Sequence, residues 1–299
     1  MSNFFQTGRA NKAYEVTRDA SGREVDKKRI EEMWSMYEPY GDRDFKNKAM
    51  EDGQFTQCMW EMHLACTLLN GGHTLQERVR HSGPDCILMY EEQPYLIEAR
   101  APNAGTGPDA VPDLVDGVVN TVPEENIILR ITQSIVEKYE QHQNWLSKGI
   151  VSHTDPLVVA INISDASMIS GDFMPYVLKA VFGFEHARIH INPETNAKIG
   201  NSWSFRAYIE KKNGERINTT YFQVPKYSSI SAIIYSGENI LYKPEIMGEE
   251  FTIVHNPFAG NPIPHNLLKF GTEYWVDEEK LLQKIVHMKN KGVYISQQP

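Results

Sequence analysis

The chain has 299 residues, of which 41% are hydrophobic and 23% charged, values typical of a globular protein that buries one large core or two modest ones. It contains no run of 18 apolar residues and no secretory signal pattern near its start, so we expect neither a membrane span nor export. A net charge of −9 argues against a surface coated for nucleic-acid binding, although it is compatible with a local basic groove. The three cysteines lie in apolar contexts without a CxxC pair, which favours buried free thiols in a reducing cytoplasm: Cys58, Cys66 and Cys86.

The first 70 residues predict an arm followed by two helices. Residues 1–22 are polar and predict a segment with little structure. Apolar residues at helical spacing predict a helix over 25–37, which Pro39 ends. A longer helix is predicted over Phe55–Asn70, because an apolar stripe there runs into two consecutive glycines.

Glu61 lies inside the apolar stretch of this second helix. A carboxylate buried at that place needs an ion-pair partner or a metal ion. A position at the helix edge, exposed or paired with a nearby arginine, explains it equally well. Both interpretations are kept at this point.

The segment 83–102 predicts two short apolar strands joined by a polar turn at Glu91–Pro94. Each strand carries an acidic residue where an apolar one is expected. Asp85 stands at the entry of the first strand and Glu98 near the end of the second.

The register of this hairpin decides whether the two acids meet. Pairing of Tyr90 with Tyr95 sets Asp85 opposite Arg100, on the same sheet face as Glu98. A slip of one residue would move Asp85 to the other face. Two carboxylates and a cation on one face favour hard divalent ions such as Mg²⁺ or Mn²⁺.

A glycine- and proline-rich loop over 103–112 is expected to border these residues, and a long helix follows over 124–148. Arg130, Ser134 and Lys138 recur every four residues on that helix and form a polar row. A row of this kind either faces the acidic pair or is a solvent-facing stripe.

The remaining chain is predicted to be mostly β-structure. The continuous apolar run 156–163 is typical of a buried central strand. Later predictions are two strands flanking the Asn213-Gly214 turn (203–210 and 219–224), a short strand (230–235) and a closing helix (278–288).

Gly83-Pro84-Asp85 followed by Glu98-Ala99-Arg100 resembles the PD-(D/E)xK pattern of the restriction-endonuclease-like nuclease superfamily. The order helix, hairpin, long helix, buried strand is also similar to its core, over about 50–165. The resemblance implies an α/β fold in which helices flank a mixed central sheet. We expect a single domain, 1–299, whose part after about residue 166 is a β-rich C-terminal elaboration.

The resemblance also implies a metal site. In the superfamily the two acidic positions bind a divalent ion, and a Glu on the preceding helix commonly contributes. Transferred to this sequence, the ligands of Mg²⁺ or Mn²⁺ are Asp85, Glu98, the Ala99 carbonyl and Glu61.

This sequence departs from the pattern at its third position, where Arg100 replaces the usual Lys. An arginine stays protonated and cannot act as a general base, but it can bind a phosphate oxygen. Since the superfamily can supply the lysine from the helix after the hairpin, Lys138, or Arg130 earlier on the same row, is the candidate to compensate for the missing lysine. Arg130, like Arg100, is a candidate to bind the substrate phosphate.

The function expected from the resemblance is metal-dependent hydrolysis of DNA phosphodiester bonds in the cytoplasm. The expected partner is DNA or another nucleic acid and not a membrane, with a homodimer left open. An alternative is an inactive nuclease-like fold that serves as a binding module, which the acidic net charge and Arg100 favour. A third interpretation is an unrelated α/β protein in which Asp85 caps a turn and Glu98 pairs with Arg100.

Overall fold

A computed structural model of the protein describes residues 3–78, 83–167, 174–242, 246–287 and 294–297. Within these ranges the helices are α1 (Lys12–Asp19), α2 (Glu24–Tyr37), α3 (Phe45–Met50), α4 (Phe55–Asn70), α5 (Glu124–Ser147) and α6 (Tyr176–Phe182). None of them is long and apolar enough to cross a membrane.

The strands up to the middle of the chain are β1 (Thr74–Leu75), β2 (Cys86–Tyr90), β3 (Gln93–Arg100), β4 (Leu157–Asn162), β5 (Phe184–Ile191) and β6 (Lys198–Phe205). Those that follow are β7 (Tyr208–Glu210), β8 (Arg216–Asn218), β9 (Ile230–Ser236), β10 (Thr252–His255), β11 (Thr272–Val276), β12 (Leu282–Val286) and β13 (Tyr294–Gln297).

Nine of these strands form one mixed sheet in the order β1-β2-β3-β4-β9-β10-β11-β12-β13. The pairs β3–β4, β4–β9 and β10–β11 are parallel, and the other pairs are antiparallel. Strands β5–β6 and β7–β8 form two separate antiparallel hairpins. The predicted fold class, a mixed sheet flanked by helices with further β-structure in the C-terminal part, is confirmed.

Helices cover both faces of the central sheet. On one face α1 to α4 pack with alternate sheet residues such as Ile97 and Ala99, and on the other α5 and α6 pack with residues such as Leu96. Strand β4 is buried along its whole length, as a strand between two helical layers must be. Because neighbouring residues of β3 point to opposite layers, Glu98 lies on the α5 side while the Ala99 side chain lies on the α4 side.

Three predicted segments are wrong. The strand predicted over 219–224 does not form, because β8 (Arg216–Asn218) ends before it and Tyr221–Gln223 is a 3-10 helical turn. The arm at residues 1–22 contains α1, capped by the Asn11 side chain, and its aromatic residues Phe4 and Tyr14 are fully buried. They pack against Trp34 and Phe55, so the apolar contacts offset the polar composition of the segment. The described part of the predicted helix at 278–288 contains β12, which pairs with β11.

Candidate active site

The hairpin β2–β3 pairs Tyr90 with Gln93 and continues so that Cys86 lies opposite Ile97. The register predicted from a Tyr90–Tyr95 pair is therefore wrong by two residues. The strands are joined by Glu91 and Glu92 alone, both with positive φ (49° and 65°), as in the tight primed hairpin turns. A shift of two residues keeps every side chain on its predicted face.

In the observed register Asp85 lies directly opposite Glu98. A backbone N–H group donates a hydrogen bond to each of the two carboxylates. The Asp85 N–H donates to Glu98 Oε1 (2.9 Å), and the Ala99 N–H donates to Asp85 Oδ2 (2.9 Å). Glu98 is only 1% exposed, whereas Asp85 is half-buried and lines an open cleft of about 420 Å³. The acidic pair is therefore fixed by the hairpin and reachable from solvent on the Asp85 side.

The long helix α5 brings Lys138 to this pair. Its Nζ lies 2.8 Å from Glu98 Oε2 and 3.1 Å from Gln141 Oε1, and the residue is 8% exposed. Ser134, one turn earlier, is also buried. The interpretation of the polar row as a solvent-facing stripe is wrong for these two residues. Burial opposes the charge of Lys138, but Glu98 and Asp85 outweigh it and raise the lysine pKa.

Glu61 approaches from the opposite layer, on α4, and is 2% exposed. It accepts hydrogen bonds from Lys48 Nζ (3.2 Å) and Gln57 Nε2 (3.0 Å). Gln57 Nε2 also donates to the Ala99 carbonyl (3.1 Å), which ties α4 to β3 beside the acidic pair. The interpretation of Glu61 as an exposed helix-edge residue is wrong, and its cationic partner is a lysine instead of an arginine.

Burial and mutual repulsion favour the protonated form of both buried carboxyls. Burial first, and then the negative charge of Asp85, raise the pKa of Glu98 to about 8 and that of Glu61 to about 7. Lys138 and Lys48 counteract these shifts without cancelling them. A divalent cation at this place would displace the protons and relieve the repulsion.

The donor set fits a hard cation, because it consists of carboxylate and carbonyl oxygens. Among the described residues, Asp85, Glu98 and Glu61 do not form a group whose oxygens all lie within 4.8 Å of one another. Mg²⁺ is compatible with that spacing, since it usually keeps several water ligands and uses only one or two carboxylates. Asp85 and Glu98, which lie opposite each other on the hairpin, would be these two carboxylates. Glu61 would be a further acid beside them.

Arg100 and Arg130 contact groups other than the acidic pair. Arg100 Nη2 pairs with Glu137 Oε2 on α5 (3.2 Å), and Glu98 pairs with Lys138, so the Glu98–Arg100 pair expected in the third interpretation does not form. Arg130 packs on Gly105, whose φ is +84° and where a Cβ would lie 2.2 Å from Nη1. The loop that carries Gly105 therefore packs against α5 at Arg130.

Both guanidinium groups keep a buried Nε that has no hydrogen-bond partner in the described part of the chain. Burial lowers the pKa of Arg130, which remains a cation because its ordinary value is so high. Arg130 and Glu137 line a second cleft of about 550 Å³. An anion in this cleft would pair with the charged guanidinium of Arg130.

The structure thus brings together Asp85, Glu98, the Ala99 carbonyl, Glu61 and Lys138, with Arg100 and Arg130 on the α5 side. Sequence reasoning missed Lys48 and Gln57. Gln57 carried a detectable signal, since it stands four residues before Glu61 and shares its helix face. In comparisons with protein-family models, curated protein sequences and solved structures, no match to this chain was found.

Proposed function

We propose that this protein is a metal-dependent nuclease that hydrolyses phosphodiester bonds of DNA. One observation carries the proposal: the Lys138 ammonium lies 2.8 Å from Glu98 Oε2, on the acidic pair of the hairpin. This supplies the lysine that the sequence motif lacks at position 100. A buried Lys that reaches a paired carboxylate at an open cleft is also a usual mark of a functional site.

Asp85, Glu98 and the Ala99 carbonyl would hold Mg²⁺ or Mn²⁺, with Glu61 as a further acid. The bound ion supplies positive charge that activates water and stabilises charge developing on the phosphate. Lys138 keeps its proton at Glu98 Oε2 and so places a cation beside the reacting group. Arg130, which lines the second cleft, would bind a phosphate oxygen there through its guanidinium group.

Two further observations support the proposed site and the proposed cytoplasmic location. The only cations that contact Glu98 and Glu61 among the described residues are lysines, at 2.8 and 3.2 Å from the carboxylates. Cys58, Cys66 and Cys86 are buried free thiols, and a reducing compartment such as the cytoplasm suits them.

The test is a Mn²⁺ titration followed by cleavage assays on plasmid and single-stranded DNA. We expect wild-type protein to bind Mn²⁺ and cut DNA, and Asp85→Ala and Glu98→Ala to lose both while keeping their circular dichroism spectrum. Asp116→Ala, which removes an exposed acid from a loop, is the matched control and should behave as wild type.

Equal Mn²⁺ binding by Asp85→Ala and wild type would show that the acidic pair is not the metal site. Metal binding to wild type without cleavage of either DNA would favour the alternative function, a nuclease-like fold that acts as a binding module.

A further inference from the structure

A second group of potential metal ligands lies in the C-terminal half of the sheet. His255 ends β10, Glu273 lies on the neighbouring parallel strand β11, and His265 lies on the loop that joins them. One nitrogen or oxygen of each can be chosen so that all three atoms lie within 4.8 Å of one another. The parallel pairing of β10 with β11 brings His255 and Glu273 together, and the loop between the two strands carries His265.

This group is separate from the acidic pair of the hairpin. His255 lies in the cross-strand row of Ala232, Val158 and Ile97, whose side chains belong to the α4 layer. Glu98 lies on the α5 side. Strands β4 and β9 separate β3 from β10, which corresponds to about 14 Å at ordinary strand spacing.

Glu273 is the centre of the group. Its Oε1 lies 2.5 Å from His255 Nε2 and 4.0 Å from His265 Nδ1, and its Oε2 lies 2.8 Å from His287 Nε2. The Asn266 N–H donates to both oxygens, at 3.1 and 3.2 Å. Glu273 is 1% exposed, so these contacts hold a carboxylate that has been removed from water.

His265 differs from His255 and His287 because it makes no hydrogen bond to Glu273. Its Nδ1 faces Glu273 Oε1 at a distance too long for a hydrogen bond, and its ring packs between His255 and Trp275. An imidazole nitrogen held in this position, without a hydrogen bond to its neighbour, is available as a metal ligand.

We propose that His255, His265 and Glu273 form a binding site for a divalent transition metal of the zinc class. Two imidazole nitrogens and one carboxylate oxygen are ligands that zinc and iron accept and that Mg²⁺ does not prefer. Two donors on one tetrahedral zinc ion lie about 3.3 Å apart. The observed separations of 2.5 and 4.0 Å from Glu273 Oε1 lie on either side of that value, and the separation between the two histidine nitrogens is at most 4.8 Å.

The surroundings complete the arrangement. His287 holds the second oxygen of Glu273 and the Asn266 N–H donates to both oxygens, as outer groups commonly hold a metal-binding carboxylate. The side chain of His265 is 51% exposed, so the ion would keep a position open to water. A site with three protein ligands and one open position has the composition of catalytic zinc centres rather than structural ones.

The experiment uses EDTA-treated full-length protein titrated with Zn²⁺ by calorimetry and with Co²⁺ by visible absorption. The Asp85→Ala background removes the proposed Mn²⁺ site, so failure of one proposal does not imply failure of the other. We expect Asp85→Ala protein to bind one equivalent of Zn²⁺ and to give the Co²⁺ spectrum of a site with nitrogen ligands. Adding His265→Ala should weaken Zn²⁺ binding by roughly 100-fold or more, because even the loss of a residue that only holds a metal ligand lowers metal affinity by about 10–100-fold.

His265→Ala should fold, because that side chain is half exposed, and circular dichroism checks this. His190→Ala removes another exposed histidine, on the β5–β6 hairpin, and should leave Zn²⁺ binding unchanged. His287→Gln should weaken binding by about 10-fold through the carboxylate it holds. No Zn²⁺ binding to the Asp85→Ala protein, or equal binding with and without His265, would overturn the proposal and leave a hydrogen-bonded network only.

Discussion

Replacement of Asp85 by Asn tests the electrostatics of the proposed active site without a nuclease assay. Asparagine keeps an oxygen that can accept the Ala99 N–H, now 2.9 Å from Asp85 Oδ2. It removes the negative charge that, after burial, contributes most to the raised pKa of Glu98 and Glu61. We therefore expect the metal-free variant to be more stable than wild type at alkaline pH.

The size of the effect follows from the pKa values. Carboxyls raised from 4.5 to about 8 and about 7 keep protons in the folded protein that the unfolded chain releases above about pH 4.5. The free energy of unfolding of wild type must then fall as the pH rises from about 5 to 8. If Asp85 contributes about one pKa unit at each group, Asp85→Asn gains roughly 1–3 kcal/mol at pH 8 and nothing at pH 5.

The measurement is urea denaturation in EDTA at pH 5 and pH 8, for wild type, Asp85→Asn and Asp116→Asn. The last variant removes one exposed charge and corrects for the change in net charge. The reasoning is refuted if wild type and Asp85→Asn lose the same free energy of unfolding between the two pH values.

Three further predictions concern metal and DNA. Lys138→Met should cut turnover on DNA by roughly 10²-fold, the lower end of the loss expected when a positioned proton-transfer or charge-stabilising group is removed. The Mn²⁺ affinity should change little. Unaltered turnover would remove Lys138 from the mechanism. Arg100→Lys should keep turnover within a few-fold of wild type, because Arg100 pairs with Glu137 while Lys138 already contacts Glu98; a loss as large as in Arg100→Ala would show that the guanidinium itself is required. Mn²⁺ affinity should rise steadily from pH 6 to pH 8.5, since Glu61 and Glu98 must release protons to bind it, and calorimetry in buffers of different ionisation enthalpy would count those protons. A pH-independent affinity with no proton release would contradict the raised pKa values.

The long helices were predictable because their signals are local. Helix α4 has the predicted bounds, and α5 ends within one residue of them. The strand at 156–163 was equally clear, because a continuous apolar run of this length is too short for a buried helix and is rich in β-branched residues. The two helices and the hairpin carry most of the candidate site, and the strand pairs with β3 of that hairpin.

The hairpin register was not predictable in the same way. A two-residue turn with positive φ is normally signalled by Asn-Gly or Asp-Gly, and this chain uses Glu91-Glu92. The wrong register still placed Asp85 and Glu98 on one face, because the error was an even number of residues. Their direct pairing depends on the two-residue turn, and the contact of Lys138 with Glu98 depends on tertiary packing across 40 residues.

The residues missed altogether are those whose partners are distant in the chain. Lys48 meets Glu61 only because α3 folds against α4. His255, His265 and Glu273 belong to no recognisable spacing motif, and they meet through the pairing of two strands. Phe4 and Tyr14 were hidden by polar neighbours, although two large aromatics in such a segment are a signal for burial.

The place of β4 in the sheet has a consequence for work with shortened versions of this protein. Its six residues are all buried, and one side of its backbone pairs with β9, which lies about 70 positions later in the chain. A fragment trimmed to the motif-bearing half, 50–165, would turn this apolar strand into an open edge, with no charge or proline to discourage association. We expect such a fragment to self-associate through β4 when expressed. A soluble minimal version needs to retain the chain through β12 or to pair β4 with a substitute strand.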